Sequence, residues 1–397
     1  MDNIGSNGAI VGDPRWISQK TLETLRRYRI YSGDVLISIA GSIGRVAVFN
    51  EAAAKGPTIL TENAAKLHAG VGVLPEYLSF LLSSQVLQLQ MKRDYIQTTI
   101  PKLGLDRIRK LRVPPIPAVT QQEVVIRLWK EAIGRHTVLV EKAAALFAGV
   151  DDYLLGELGI VLPVEVESTI ASRMFSTQRR NLSGWRFDAR VHRKKFQLAS
   201  SRFQNVSVNA VAHINPHTNF EGVQDTSLLT FVPMEAISDV DGTVSWPQER
   251  TFSENIGYTS FQEGDLLWAK ITPCMENGKS AVAHGLLHGY GFGSTEYHVI
   301  RPRDESVSVN FLHALFRMKA VRLAAESYFG GSSGHQRVDE AFFFRLSIPL
   351  PDMVTQKRLV EHIGKMRLEA QRLRRDAEIE LSAAKQRIEA KLLGDPT

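Results

Sequence analysis

The spacing of apolar residues changes several times along this chain, and each change predicts a different element. Runs of β-branched and large apolar residues next to a glycine cover residues 34–40 and 265–271, and they predict strands. Apolar residues three and four apart cover residues 75–95 and 309–327, and they predict helices. Each half of the chain is therefore expected to combine strands with helices.

Two longer segments, 120–158 and 352–394, have the pattern of coiled-coil helices and each follows a proline-rich stretch. We expect them to pack as an antiparallel pair. About 40 residues at a rise of ~1.5 Å make a helix of about 60 Å, which predicts a spacer between two domains. The positions expected to form this helix-pair contact are Leu128, Leu139, Leu146, Val150, Leu359, Ile363, Met366, Leu373, Leu381 and Ile388.

The chain also repeats itself after about 231 to 235 residues. GDVL at 33–36 matches GDLL at 264–267, and GRVAV at 44–48 matches GKSAV at 278–282. Thr61 and Glu62 align with Thr295 and Glu296, and LRVPPIPAVTQ at 111–121 aligns with LSIPLPDMVTQ at 346–356. The order of these matches predicts two equivalent domains, each followed by a long helix.

The predicted fold class is α/β (α+β), with two domains of mixed helix and strand separated by an antiparallel pair of coiled-coil helices. The expected boundaries are 1–117 for the first domain, 118–160 for the central helix, 161–351 for the second domain and 352–394 for the last helix. The second domain has a long lead before Gly264, of which the first domain lacks about 60 residues. We expect the first domain to begin partway, through a misassigned start or a shortened gene.

Composition and charge narrow the function. Hydrophobic residues at 44% and charged residues at 23% are typical of a folded protein, and the net charge of +6 favours a polyanionic partner. Residues 171–195 hold eight basic residues against Asp188 alone, which favours phosphate, although a solvated basic segment has the same composition. A single cysteine, Cys274, and the lack of an apolar run long enough for a membrane span predict a cytoplasmic protein without a membrane partner.

The motifs of DNA-modifying enzymes are missing from the sequence. Residues 215–217 (Asn-Pro-His) lack the second proline and the aromatic residue of an adenine methyltransferase motif. The Glu-Ala-Lys at 389–391 lies in the last helix, where a solvated face explains it better than a nuclease site does. The histidine pairs 213/217 and 284/288 have no neighbouring Cys or acidic residue to complete a zinc site. We therefore expect no catalytic residues, no metal and no cofactor in this chain.

Taken together, these motifs resemble the specificity subunit of type I restriction-modification systems. The resemblance rests on both GD(V/L)L strands, the KITPCMENGK run at 270–279, GSTEYHV at 293–299, RFDA at 186–189 and the two proline clusters followed by Thr-Gln. It implies two target recognition domains that each read half of a split site in double-stranded DNA, with helices that fix the spacing. It also implies docking to two modification subunits, which would bind S-adenosylmethionine, and to restriction subunits in the full complex.

The candidate DNA contacts are basic or polar residues near the glycine-rich turns of each domain. They are Arg45, Lys55, Lys66, Lys102 and Arg107 in the first domain, and Lys270, Asn277, Lys279, Ser332, Ser333, His335, Gln336 and Arg337 in the second. Glu62 and Glu296 are alternatives that would accept from cytosine N4. A different class of function also stays open, namely a coiled-coil scaffold that binds proteins and not DNA.

Overall fold

The computed structural model describes residues 4, 10, 15–54, 56–94, 102–162, 169–170, 174, 176, 178, 196–331 and 334–393. Most of the basic segment 171–195, including the RFDA motif, therefore lies outside the described residues. The chain divides into two compact units: Met1–Ala143 with Gln371–Thr397, and Ala144–Ala370. Within the described residues no helix is long and apolar enough to cross a membrane.

The first unit is built on a three-stranded antiparallel sheet in the order β3-β2-β5. Buried Val35 and Ile37 of the central strand pack with Tyr77 and Phe80 of the helix that follows the sheet. The elements that precede the first long helix are α1 (Gln19–Thr24), β1 (Arg29–Ile30), β2 (Val35–Ser38), β3 (Val46–Val48), β4 (Thr58–Ile59), β5 (Ala64–Leu67), α2 (Pro75–Ser83), α3 (Gln85–Asp94) and α4 (Leu105–Arg109).

The second unit contains two four-stranded sheets. One is antiparallel with the order β12-β11-β14-β7, and the other, β10-β13-β8-β9, has one parallel pair between β13 and β8. The strands are β6 (Asn205–Ser207), β7 (Ala212–Ile214), β8 (Leu228–Val232), β9 (Gln248–Thr251), β10 (Thr259–Gln262), β11 (Leu266–Ala269), β12 (Ser280–Val282), β13 (Tyr290–Gly293), β14 (Tyr297–Pro302), β15 (Phe329–Gly330), β16 (Arg337–Val338) and β17 (Ser347–Pro349).

The long helices are α5 (Val119–Leu158) and α10 (Met353–Leu393), and the shorter helices of the second unit are α6 (Val208–Val211), α7 (Val309–Arg317), α8 (Lys319–Ala325) and α9 (Ala341–Arg345). Each unit contains a stretch of both long helices. In the first unit Nε2 of His136 lies 3.1 Å from Oε1 of Glu378, and in the second Arg358 Nη2 lies 2.6 Å from Glu157 Oε2. Within the second unit the rings of Tyr153 and His362 also stack at 4.2 Å, so residue numbers rise on one helix as they fall on the other and the pair is antiparallel there, as the fold class predicted.

The residues of the expected helix-pair contact divide by burial. Val150, Leu359, Ile363 and Ile388 are buried. The half-buried members of the predicted set are Leu128, Leu139, Leu146, Met366, Leu373 and Leu381. Other residues of the long helices are fully buried, including Ala143, Leu154 and Ala377.

The helix predicted over 75–95 is two helices, and so is the helix predicted over 309–327. The chain leaves the helical conformation at Ser84 (φ −62°, ψ 152°) and at Met318 (φ −55°, ψ 134°). A carboxylate from a long helix then accepts from the first N–H of each new helix: Glu389 Oε1 from Gln85 N at 3.0 Å, and Asp151 Oδ2 from Lys319 N at 2.8 Å. Apolar periodicity continues through both breaks, which is why it does not reveal them.

A buried glutamine ties the start of each long helix to its own domain. Gln122 Oε1 accepts from Leu74 N at 2.9 Å, and its Nε2 donates to the carbonyls of Gly72 and Pro117 at 2.7 and 2.8 Å. Gln356 repeats this arrangement with Ser308 N at 2.8 Å and with the carbonyls of Ser306 and Pro351 at 2.9 and 2.8 Å. The sequence alignment that paired Gln121 with Gln356 was wrong by one residue, because matching Thr-Gln letters outweighed the position of the buried side chain.

Candidate nucleic-acid interface

The central strands of the two equivalent sheets end in the same backbone arrangement. In the first unit Leu103 N donates to Ile39 O at 2.9 Å, and Ala40 forms a β-bridge with Lys102. In the second unit Val338 N donates to Lys270 O at 2.8 Å, and Ile271 forms a β-bridge with Arg337. Lys102 is therefore the structural counterpart of Arg337.

The register of these sheets also corrects one pair in the sequence alignment. Ile39 N donates to Asn63 O at 2.8 Å, and Lys270 N donates to Glu296 O at 2.9 Å. The counterpart of Glu296 is thus Asn63 and not Glu62, because β5 starts at Ala64 and β14 at Tyr297, opposite equivalent residues of the central strands. The first unit consequently has an amide where the second has a carboxylate.

In the second unit the structure brings together candidates that lie about 60 residues apart in the sequence. The loop after β11 runs beside the segment that leads into β16, where Thr272 N donates to Gln336 O at 2.9 Å. Gln336 N in turn donates to Thr272 Oγ1 at 3.2 Å. Lys270, Gln336 and Arg337 therefore share one edge of the domain, where their backbones are held by hydrogen bonds.

Arg337 and Glu296 form an ion pair at this edge. Nε of Arg337 lies 2.9 and 3.1 Å from the two carboxylate oxygens, and Nη2 lies 2.6 Å from Oε1. Nη1 donates to His335 O at 3.2 Å. The hydrogen bond to Glu296 raises the pKa of Arg337, so the guanidinium stays charged, and 48% of its side chain is exposed. Both oxygens of Glu296 are engaged by Arg337, which disfavours the alternative that Glu296 accepts from cytosine.

Lys270 is half-buried beside this ion pair. Burial lowers the pKa of its ammonium group, the charge of Glu296 opposes that effect, and the charge of Arg337 adds to it. A lysine in this setting gives up part of its hydration before any ligand arrives. Its proposed role as a DNA contact stays a prediction.

The far end of the same loop is fixed from inside the domain. Lys279 Nζ donates to Met234 O at 3.0 Å, and Arg317 Nη1 donates to Gly278 O at 2.7 Å. Arg322 Nη1 also donates to Glu276 O. Gly278 has a φ of +80°, and a Cβ there would lie 3.4 Å from the guanidinium of Arg322. The internal hydrogen bond of Lys279 competes with its predicted phosphate contact.

The remaining candidates occupy varied environments. Arg45 Nη1 donates to Ile4 O at 3.2 Å and Lys66 Nζ donates to Arg29 O at 2.6 Å, so both basic groups have internal partners. Asn277, His335 and Lys102 are exposed, while Gln336 and Arg107 are half-buried. Lys55, Ser332 and Ser333 lie outside the described residues. Within the part of the chain that the structure describes, no group of three His, Cys, Asp or Glu side chains is placed to hold a metal.

Sequence reasoning missed the residues that attach each domain to the long helices. Gln122 and Asp151 lie in no catalytic or binding motif, and Gln356 belongs only to the repeated Thr-Gln. The expectation that Glu389 lies on a solvated helix face was wrong, because its side chain is buried and accepts from Gln85 N. The one available signal was that a glutamine lies five residues after Pro117 and again five residues after Pro351. Such a recurrence predicts a shared structural role, but only burial shows that the role is to satisfy the main chain.

Comparison with known proteins identifies the relatives of this architecture. Over 205 residues, 51% of the chain, it is 33% identical to the type I restriction enzyme EcoAI specificity subunit of Escherichia coli. It is 32% identical over 200 residues to the EcoEI specificity subunit of the same organism. This chain is similar to type I restriction specificity subunits. The resemblance found in the motifs is confirmed, although the matches span only 34% and 33% of the lengths of these relatives.

One solved structure supports the fold. A chain from a study of complex assembly and conformational transition in a type I restriction-modification system has a TM-score of 0.52 at 18% identity, covering 93% of this chain and 83% of that one. The HsdS subunit of Thermoanaerobacter tengcongensis has a TM-score of 0.38 at 18% identity, covering 100% of this chain and 89% of that one. No protein-family model matches the chain.

Proposed function

We propose that this chain is the DNA-specificity subunit of a type I restriction-modification complex and reads a bipartite site in double-stranded DNA. The observation that carries the proposal is that the central strands of the two equivalent sheets end in the same backbone arrangement. Lys102 in one domain and Arg337 in the other occupy the same position in it. Two related edges with different side chains suit two half-sites of different sequence. The similarity to specificity subunits supports the same function.

The long helices are proposed to set the number of unread base pairs between the half-sites and to dock two modification subunits. Those subunits would bind S-adenosylmethionine and transfer the methyl group, and restriction subunits would join them in the full complex. The proposal assigns no catalytic step to this chain. Its own residues would bind DNA, select bases and orient the partners, and the isolated chain is expected to show neither methyl transfer nor cleavage.

The test is to express the chain with a modification subunit of a type I system, such as any encoded beside its gene, and to map methylated adenines in the host genome. The expected result is one bipartite motif that disappears when the gene for this chain is omitted. A contiguous motif, or the same methylation without this chain, would refute the proposal. Footprinting of the purified complex, with affinity that falls as salt rises, would further separate DNA reading from a purely protein-binding scaffold.

A further inference from the structure

We propose that Arg337, oriented by Glu296, reads a guanine in the half-site of the second domain. This inference rests on the proposed function and names one base of the target. The observation that carries it is the geometry of the Arg337–Glu296 ion pair, together with its absence at the equivalent place in the first domain.

Among the described residues, the hydrogen bonds of Arg337 leave two of its N–H groups available for a ligand. Nε and Nη2 of Arg337 each donate one N–H to the carboxylate of Glu296, and Nη1 donates one N–H to the carbonyl of His335. A guanidinium carries five N–H groups, so one remains on each of the two terminal nitrogens. Two N–H donors on one planar group match the O6 and N7 acceptors of guanine in the major groove.

The ion pair suits a base edge better than a phosphate. A phosphate bound by Arg337 would lie close to the carboxylate of Glu296, and two negative groups at that distance repel each other. Guanine offers neutral acceptors, so the carboxylate holds the guanidinium in place without opposing the ligand. With 48% of Arg337 exposed, the pair also contributes little to folding stability, which leaves orientation as its more useful effect.

The backbone beneath Arg337 is fixed before DNA binds. Val338 N donates to Lys270 O at 2.8 Å and Thr272 N donates to Gln336 O at 2.9 Å, so hydrogen bonds to the loop after β11 hold the residues on both sides of Arg337. Fixing both the backbone and the guanidinium lowers the entropy that is lost on binding. These features favour a specificity contact over a general electrostatic one.

The first domain provides an internal comparison. Its counterpart of Arg337 is exposed Lys102, and its counterpart of Glu296 is Asn63. Lysine is a point charge without a planar pair of donors, and the position lacks a carboxylate to orient it. The first half-site is therefore expected to receive a phosphate contact here, and the second half-site a base contact.

The experiment uses the full chain in complex with its modification subunits. Adenine methylation is mapped for the wild type and for Arg337→Lys, Arg337→Ala and Glu296→Gln, with exposed Arg303→Lys as the matched control. We expect the Arg337 variants to accept other bases at one guanine of the second half-site, with a loss of discrimination of about ten- to a hundredfold. Glu296→Gln should relax the same position to a smaller extent, while Arg303→Lys should leave the motif unchanged.

A second measurement keeps the inference testable if a variant does not fold. Binding of the wild-type complex is measured on duplexes in which each guanine of the second half-site is replaced in turn by 7-deazaguanine, which lacks the N7 acceptor. One replacement should weaken binding in the wild type, and unchanged binding for every replacement would overturn the inference without any variant. Where Arg337→Ala folds, the same replacement should have no further effect in it. If Arg337→Ala weakens DNA binding equally on every sequence, Arg337 contacts a phosphate. If the Arg337 and Glu296 variants leave the methylation motif unchanged, the ion pair has a purely structural role. Absence of any bipartite motif in the wild type would instead refute the proposed function.

Discussion

Gln122 and Gln356 each bond to three main-chain groups at equivalent positions of their own units, although 234 residues separate the two glutamines. Each amide links the first turn of a long helix to the loop that precedes a shorter helix of the domain. Since both side chains are fully buried, each amide fixes part of the attachment of a domain to its own long helix. The proposed base contact at the edge of the sheet relies on the same attachment.

Replacing either glutamine should therefore destabilise its own unit. Gln122→Ala and Gln356→Ala each leave one N–H and two carbonyls without their partner, and we expect a loss of about 2–4 kcal/mol. Exposed Gln121→Ala is the control and should cost less than ~0.5 kcal/mol. Denaturant unfolding with hydrogen exchange resolved by unit measures the effect. Equal stability of the variants at positions 121 and 122 would contradict the structure.

The carboxylates that accept from the first N–H of α3 and α8 give a second prediction. Asp151→Ala should lower the stability of the second unit by about 1–2 kcal/mol, because Lys319 N loses its acceptor and the first turn of α8 loses a negative charge. The neighbouring exposed residue provides the control, Asp152→Ala. Hydrogen exchange at the start of α8 reports the effect directly, and unchanged protection there would rule out the capping role.

The stability of the second unit should fall as pH decreases from about 6.5 towards 3. Burial lowers the pKa of His313 from 6.5 to about 3, and it also lowers the pKa of His298. Below 6.5 the unfolded chain takes up a proton that the folded His313 refuses, so folding is disfavoured by about 1.4 kcal/mol per pH unit for this group. The contribution of His313 is absent above pH 6.5.

His313→Gln should flatten that pH profile, while exposed His213→Gln should leave it as steep as in the wild type. The free energy of unfolding is measured at intervals between pH 4 and 7.5 for the three proteins. Parallel profiles for all three would show that His313 does not titrate in this way.

The equivalent buried aspartates of the two sheets should differ in how strongly their partners stabilise the fold. Asp265 is buried, and its two oxygens each lie 2.7 Å from a nitrogen of Arg301. Its counterpart Asp34 instead faces Nδ1 of His68 at 2.7 Å, and the His68 side chain is 69% exposed. Arg301→Met should cost about 3–5 kcal/mol by leaving a buried charge unpaired, and adding Asp265→Asn should recover part of it. His68→Gln should cost much less, as thermal unfolding of the variants will show.

Lys102 should contribute charge without selecting a base. Lys102→Ala is expected to weaken DNA binding on every sequence alike and to reduce the magnitude of the slope of log K against log salt by about 1. The methylation motif should stay the same. A changed base in the first half-site would show that Lys102 reads sequence, contrary to its assignment as a phosphate contact.

The sequence by itself determined the repeat, the two long helices and the central strand of each domain. Apolar spacing and turn glycines are local signals, and they correctly placed β2, β11, α5 and α10 within a residue or two of their observed ends. The same local signals failed at Ser84 and Met318, where a carboxylate distant in sequence caps a new helix.

Only the tertiary structure decided which side chains act together. Glu296 and Arg337 are 41 residues apart and meet because β14 and β16 both lie beside the end of β11. Identity of letters placed Gln121 opposite Gln356, whereas burial and hydrogen bonding place Gln122 there. The reason is physical: periodicity records which face of an element is apolar, but the partner of a polar group depends on sheet register and on contacts between distant segments.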